Sequence, residues 1–203
     1  MKKISTMAGV ALLAMSFGQQ ALADSLLVDT GTPDYTGSTL ALNSGQWLAA
    51  EFSTAAATIT SINGFLDDNG NYQAGATFTI SVYDNNPVNN TPMINSEEYY
   101  QQATFNQTGW NGASNLNWQL AAGNYWVAFE VGSNGNNDTF DGIMPTTASN
   151  TTLPIAMDYG NYYTAIGGSN FGVQITAVPV PASLWLFASG LLAVGRFGKR
   201  KAI

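Results

Sequence analysis

Ala121-Ala-Gly-Asn-Tyr-Trp-Val-Ala-Phe-Glu-Val131 decides the fold class of this chain. Tyr125, Val127, Phe129 and Val131 fall at every second position, the period of a half-buried strand and not of a helix. On that period Glu130 points away from the apolar face and reads as solvent-facing. The neighbouring segments repeat the pattern. Phe78, Ile80 and Val82 alternate with Thr77, Thr79, Ser81 and Tyr83; Leu116, Trp118 and Leu120 alternate with Asn115, Asn117 and Gln119; Phe171, Val173 and Ile175 follow suit. Gln46–Ser53, Thr58–Leu66, Glu97–Phe105 and Pro154–Tyr159 are further strand candidates. In Thr58–Leu66 the apolar phase slips between Ile59 and Ile62, ahead of Gly64, which predicts a bulge.

The pieces between these runs, among them Asp67-Asp-Asn-Gly-Asn71, Asn85-Asn-Pro-Val-Asn89 and Gly132-Ser-Asn-Gly-Asn-Asn137, are rich in turn formers. No amphipathic helix shows outside the two chain ends. Roughly eight to ten short strands at this spacing predict an all-β fold, an antiparallel β-sandwich of jelly-roll-like type, with an immunoglobulin-like sandwich as the alternative. Phe78, Ile80, Trp118, Val127, Phe129 and Val173 are its expected inner-face core.

Charge is divided sharply along the chain. The six basic residues, Lys2, Lys3, Arg196, Lys199, Arg200 and Lys201, all lie in the two ends, and all thirteen acidic residues lie between Asp24 and Asp158. The central domain therefore carries thirteen negative charges and no cation, which excludes nucleic acid as a partner. With no cysteine and no histidine in the chain, disulfides, Ser-His-Asp and Cys-His sites, and zinc held by imidazole or thiolate are excluded as well. A lysine Schiff base is excluded within the central domain.

What remains is oxygen and aromatic chemistry. Asp67 and Asp68 around Gly70, and Asp138 with Asp141, are turn formers that double as candidate calcium ligands, since hard cations take clustered oxygens; no other cofactor is expected. Asp84 with Asn85 is a third oxygen-rich turn. Glu51, Glu97, Glu98 and Glu130 could supply the carboxylate pair of a glycosidase. However, Glu97 and Glu98 are adjacent and so point to opposite faces of a strand, and no enzyme is expected. Trp110 in Gln107-Thr-Gly-Trp-Asn-Gly112 reads as an exposed ring in a turn-like stretch, able to stack on a sugar face. Tyr35, Tyr72, Tyr162 and Tyr163 also lie beside turn formers.

The ends read as addresses. Lys2 and Lys3, the apolar run Met7–Phe17 and the exit Ala21-Leu22-Ala23 compose a signal peptide, residues 1–23, cut by signal peptidase after Ala23. Residues 24–177 form the single domain. The remainder, 178–203, opens with Val178-Pro179-Val180-Pro181, whose prolines lack an N–H and fix φ and so are expected to continue neither strand nor helix. An uncharged apolar run follows, with Ala182, Trp185, Leu186, Phe187, Gly190, Leu191 and Leu192; then come Arg196, Lys199, Arg200 and Lys201. Apolar segment before cations reads as a transmembrane helix with a cytoplasmic basic stop. The run is shorter than the roughly 17–25 residues of a comfortable span, which favours a transient membrane stage over a permanent anchor.

This tail resembles a PEP-CTERM sorting signal of the Val-Pro-Leu-Pro-Ala branch, handled by exosortase-type sorting enzymes. Val178-Pro179, Pro181-Ala182, Trp185-Leu186-Phe187 and Ser189-Gly190-Leu191-Leu192 carry the match; Val180 stands where the name-giving motif has glutamate. The resemblance implies an exosortase-type partner, export to the cell surface or matrix, and association with extracellular polysaccharide in a structural or adhesive role. A calcium-dependent carbohydrate-binding module and a secreted carbohydrate-active enzyme are the alternatives.

Overall fold

The computed structural model describes residues 23–147, 153–160, 162–167 and 170–180. Among them the strands are β1 (Ser25–Asp29), β2 (Thr39–Leu42), β3 (Trp47–Thr54), β4 (Ala57–Leu66), β5 (Thr77–Asn86), β6 (Thr91–Thr104), β7 (Gly109–Leu120), β8 (Gly123–Glu130), β9 (Gly142–Thr147), β10 (Ile155–Asp158), β11 (Tyr163–Ile166), β12 (Asn170–Phe171) and β13 (Val173–Pro179). A single 3-10 turn, Ser133–Gly135, interrupts them. The strands make a four-stranded sheet, β1-β13-β4-β7, a six-stranded sheet, β11-β10-β3-β8-β5-β6, and a small sheet, β12-β9-β2. Every pairing between them is antiparallel.

The expected sandwich is therefore present, with more strands than the alternation shows. The helices expected at the two ends, one in the signal peptide and one in the tail, fall on residues outside the described ones. Ala21, Pro181, Ala182, the apolar run and the basic cluster lie there too.

The core lies between the two larger sheets. Leu48, Ala50 and Phe52 of β3, Phe78, Ile80 and Val82 of β5, and Val127 and Phe129 of β8 meet Ile59, Ile62 and Leu66 of β4, Trp118 and Leu120 of β7, and Val173 and Ile175 of β13. All six residues expected in the core are buried; each large side chain of this kind contributes about 1.5–3 kcal/mol relative to exposure. The slip in β4 is a bulge. Thr60 is the extra residue opposite β13, where the register passes from Ile59↔Ala177 to Ser61↔Thr176; on the other side, between Ile59↔Trp118 and Ser61↔Ser114, the surplus residues belong to β7. The extra residue lets Ile59 and Ile62, three apart, both face inward. Gly64 has a different job: a Cβ there would stand 2.6 Å from Cε1 of Phe129, so the glycine admits that ring.

The start of the tail belongs to the sheet, contrary to expectation. Val178 pairs with Thr58 and Pro179 with Ala57, and the Val180 N–H donates to the Ala56 carbonyl at 3.0 Å. That bond makes Pro179↔Ala57 a pair that exchanges no hydrogen bonds, so the missing N–H of Pro179 is not called upon by β4. On the other side β1 begins only at Ser25, opposite Ala177. Proline is tolerated at such an end position.

The same pairings orient the molecule. Ser25 of β1 and Ala177 of β13 are neighbours, so both ends of the domain emerge together, at what is called here the proximal end. β4 runs from Ala57, beside Pro179, to Leu66. The Asp67–Gln73 loop that follows therefore lies at the opposite, distal end.

Candidate functional site

The outer face of the six-stranded sheet is not a solvent face. Five strand-to-strand steps of about 4.8 Å would set β11 and β6 about 24 Å apart in a flat sheet, yet Cα atoms of these two strands approach within 8 Å. The sheet curls over its outer face. Its registers show why it can. One cross-strand row reads Tyr100, Ser81, Ala128, Ala49, Ala156, Ala165, small residues over almost its whole length. Side chains from the flanking rows meet above it: Tyr83 and Trp126 from one side, Glu130, Asp158 and Tyr163 from the other. Ala49, Tyr83, Trp126, Ala128, Ala156 and Tyr163 form a second buried cluster, with Trp47 packed against it.

Glu130 sits in that cluster and is 0% exposed, which corrects its reading as a solvent-facing residue. Tyr163 OH donates to its Oε1 at 2.7 Å, Tyr83 OH to the same oxygen at 2.9 Å, and Ser81 Oγ to Oε2 at 2.9 Å. Burial raises its pKa above the usual carboxylate value, while the hydroxyl donors pull the other way. Both phenols are pushed up too, first by burial and then by the charge of Glu130. Asp158, on the same face, is 1% exposed and accepts from the N–H groups of Gly160 and Tyr162. Neither carboxylate is presented to solvent.

Amides and hydroxyls take the place of cations throughout. Asn90 Nδ2 donates to Glu51 Oε2 at 3.0 Å and Asn134 Nδ2 to Glu97 Oε1 at 2.8 Å. The Asp138 carboxylate accepts from Gln102 Nε2, Thr79 Oγ1 and the Gly132 N–H. Trp126 Nε1 donates to Asn85 Oδ1 and Trp47 Nε1 to the Val131 carbonyl.

The remaining candidates gather mainly at the distal end. Asp67 accepts from Tyr35 OH at 2.6 Å and from the Asn69 N–H; burial, then the Asp67 carboxylate, push the Tyr35 phenol up to about 12. Asp68 accepts from the N–H groups of Gly70 and Gln73. Gln73 in turn is bonded to the backbone of Asp141 through both ends of its amide. The two acidic turns, far apart in sequence, are thus stapled together. Asp138 and Asp141 also line one depression of about 250 Å³ with Asn43, Ser44, Val131, Thr139 and Phe140. Among the described residues no three acidic side chains converge as a metal-binding group would.

Trp110 is placed differently from its sequence reading. It belongs to β7, opposite Phe65, and packs edge-on against that ring with centroids 5.6 Å apart; it is half-buried. The freely exposed rings are Tyr72 at 94%, Tyr162 at 71% and Tyr159 at 70%. Tyr163, grouped with them in the sequence, is buried. Glu130 with Tyr83 and Tyr163 is a grouping that the alternation alone does not reveal. The signal for it was present: the off-core positions Ala49, Ser81, Ala128 and Ala156 are small, whereas the wet face of β7 carries Asn115, Asn117 and Gln119.

No known protein family matches this sequence, and no curated protein does. Solved structures give a likeness of fold. One is the cysteine protease and lectin-like domains of Cwp84, a surface layer associated protein of Clostridium difficile, at 14% identity and a TM-score of 0.49 over 67% of this chain and 33% of that one. Another is the clostridial cysteine protease Cwp84 after propeptide cleavage, at 14% identity and a TM-score of 0.50 over 70% and 38%. This chain spans little more than a third of the length of either.

Proposed function

We propose that this chain is an exported bacterial surface or matrix protein: a jelly-roll-like acidic sandwich released by signal peptidase, passed through a transient inner-membrane stage to an exosortase-type sorting enzyme, and associated with extracellular polysaccharide in a structural or adhesive role. The observation that carries this reading is the pairing of β1 with β13. It brings the two ends of the domain out together at the proximal end, opposite the distal loops with Tyr72, Tyr35 and Asp67, as attachment through the tail would require. Neutral or weakly acidic polymers suit a domain with no cation, through half-buried Trp110 and the exposed tyrosines. A second reading, calcium bridging of an acidic polymer, is favoured by Asp138 and Asp141 lining one depression.

Mass spectrometry of the mature protein's two ends tests the processing. The expected termini are Asp24 and a C-terminus near Pro181; an intact chain still carrying Lys199-Arg-Lys201 in the membrane fraction would show a plain anchor instead. Pull-down on the producer's matrix polysaccharide, with calcium or with a chelator, separates the two binding modes. Loss with Trp110→Ala in a folded domain identifies ring stacking, and loss with chelator alone identifies bridging.

A further inference from the structure

The buried carboxylate of Glu130 is costly where it stands. An isolated ionised group in a protein interior is strongly disfavoured, and an apolar replacement of similar volume often leaves a protein as stable or more so. Here no lysine, arginine or histidine exists in the domain to offset the charge. The donors that satisfy it are hydroxyls only, two of them phenols drawn from different strands. Beside it the buried Ser133 hydroxyl adds a further donor that lowers the pKa of the carboxylate.

The surroundings of that carboxylate have the composition of a small-molecule site, mostly apolar and aromatic with a few convergent polar groups. Ala49, Ala128 and Ala156 make a level floor; Trp47, Trp126 and Tyr83 make the walls. The cover is slight. β11 is four residues long and, among the described residues, pairs only with β10. Its burial pattern shows Tyr163 as the one residue turned fully inward, with Thr164 and Ala165 exposed. Exposed Tyr159 and Tyr162 stand on the turn that leads into it, and exposed Tyr100 stands on β6, the strand it approaches.

We propose that the β10–β11 hairpin is a flap over a ligand chamber, and that the ligand is a single neutral sugar ring. Tyr163 occupies the chamber in the closed form. A pyranose ring has the breadth of its phenol, and ring hydroxyls can donate to Glu130 as the phenol does. The sugar face lies against the aromatic wall, its remaining hydroxyls meet Ser81 and Ser133, and Tyr159, Tyr162 and Tyr100 form the rim. The inference goes beyond the reading above and needs nothing of the tail or its processing.

Hydrogen exchange and tryptophan fluorescence on the purified protein test it. In the wild type, amides of Thr164–Ile166 are expected to exchange through a local opening that depends little on denaturant, while those of β3 and β8 exchange only on global unfolding. Tyr163→Phe removes one hydrogen bond to a charged acceptor and should speed the β11 amides about ten-fold or more. If that variant does not fold, the Tyr163→Phe/Glu130→Gln double, which strands no charge, serves for the exchange arm. The fluorescence arm uses the methyl glycosides of glucose, galactose, mannose and N-acetylglucosamine, with glycerol as control. At least one glycoside should give a saturable change in wild type, tighter when Tyr163→Phe removes the competing phenol and weaker with Glu130→Gln. Exchange of β11 in step with β3 and β8 would overturn the flap. A response to none of the four glycosides, or one that glycerol reproduces, would overturn the ligand.

Discussion

The two faces of the six-stranded sheet are both buried, by opposite means. The inner face is dry and large: Phe78, Ile80, Val82, Val127 and Phe129 fill the space against the second sheet. The outer face is aromatic around one polar centre: a row of alanines lets the sheet curl until Tyr83, Tyr163 and Glu130 meet above it. The first face gains stability from area removed from water; the second holds its shape through donors aimed at one carboxylate. Such a network specifies a unique arrangement but adds little net stability.

Four experiments press on that difference. Phe129→Ala should cost about 3–5 kcal/mol, read as a fall in the thermal midpoint; an unchanged midpoint would mean that the ring is not in the core. Tyr83→Phe, which keeps the ring and deletes the donor, should cost about 1.5–3 kcal/mol, the range for a hydrogen bond to a charged group. If equilibrium unfolding finds no loss, the carboxylate does not rely on that phenol. Ala128→Leu puts a large side chain into the alanine row and should cost about 1–3 kcal/mol through overpacking, with increased quenching of Trp126 as the curl loosens. A variant as stable and as shielded as wild type would show spare room above the row.

The last experiment changes only pH. Glutamate titrates near 4.5 when unfolded, and burial holds folded Glu130 above that value. The folded state then binds the proton more tightly, so this contribution is fully present below about 4.5 and is lost as pH rises through the folded pKa. Denaturant midpoints should accordingly rise on mild acidification, and Glu130→Gln should flatten that arm. A further loss is expected above pH 10, where unfolded tyrosines ionise while Tyr83 and Tyr163 stay neutral when folded.

Alternation made the inner face legible. β3, β4, β5, β8, β10 and β13 lie where period-two patterns place them, the Ile59–Ile62 slip is the bulge at Thr60, and the six named core residues are buried. β1, β2, β9 and β11 carry too few alternating residues to announce themselves; they are strands because a neighbour offers them a ladder. Trp110 reads as a turn residue because Gly109 and Gly112 flank it. Gly112 is instead a point of close approach, where a Cβ would lie 2.0 Å from the Ile62 carbonyl oxygen. Glu130 reads as solvent-facing because a period of two says only that residues alternate, not that one face is wet. Pro179 reads as the end of the sheet because its neighbours, and hence the pairing it happens to fall in, are invisible in the sequence.

The position of β13 has a mechanical consequence. It is flanked by β1 on one side and β4 on the other, both antiparallel to it, and the tail leaves from its end. When the tail is held and a polymer pulls on the distal loops, the load runs along the strand axes, across hydrogen bonds that lie perpendicular to it. The bonds to both neighbours are then sheared together and must fail at once. When the two termini are pulled apart at the proximal end, β1 and β13 peel one pair at a time. The domain should therefore resist force applied through a bound polymer far better than force applied between its own ends.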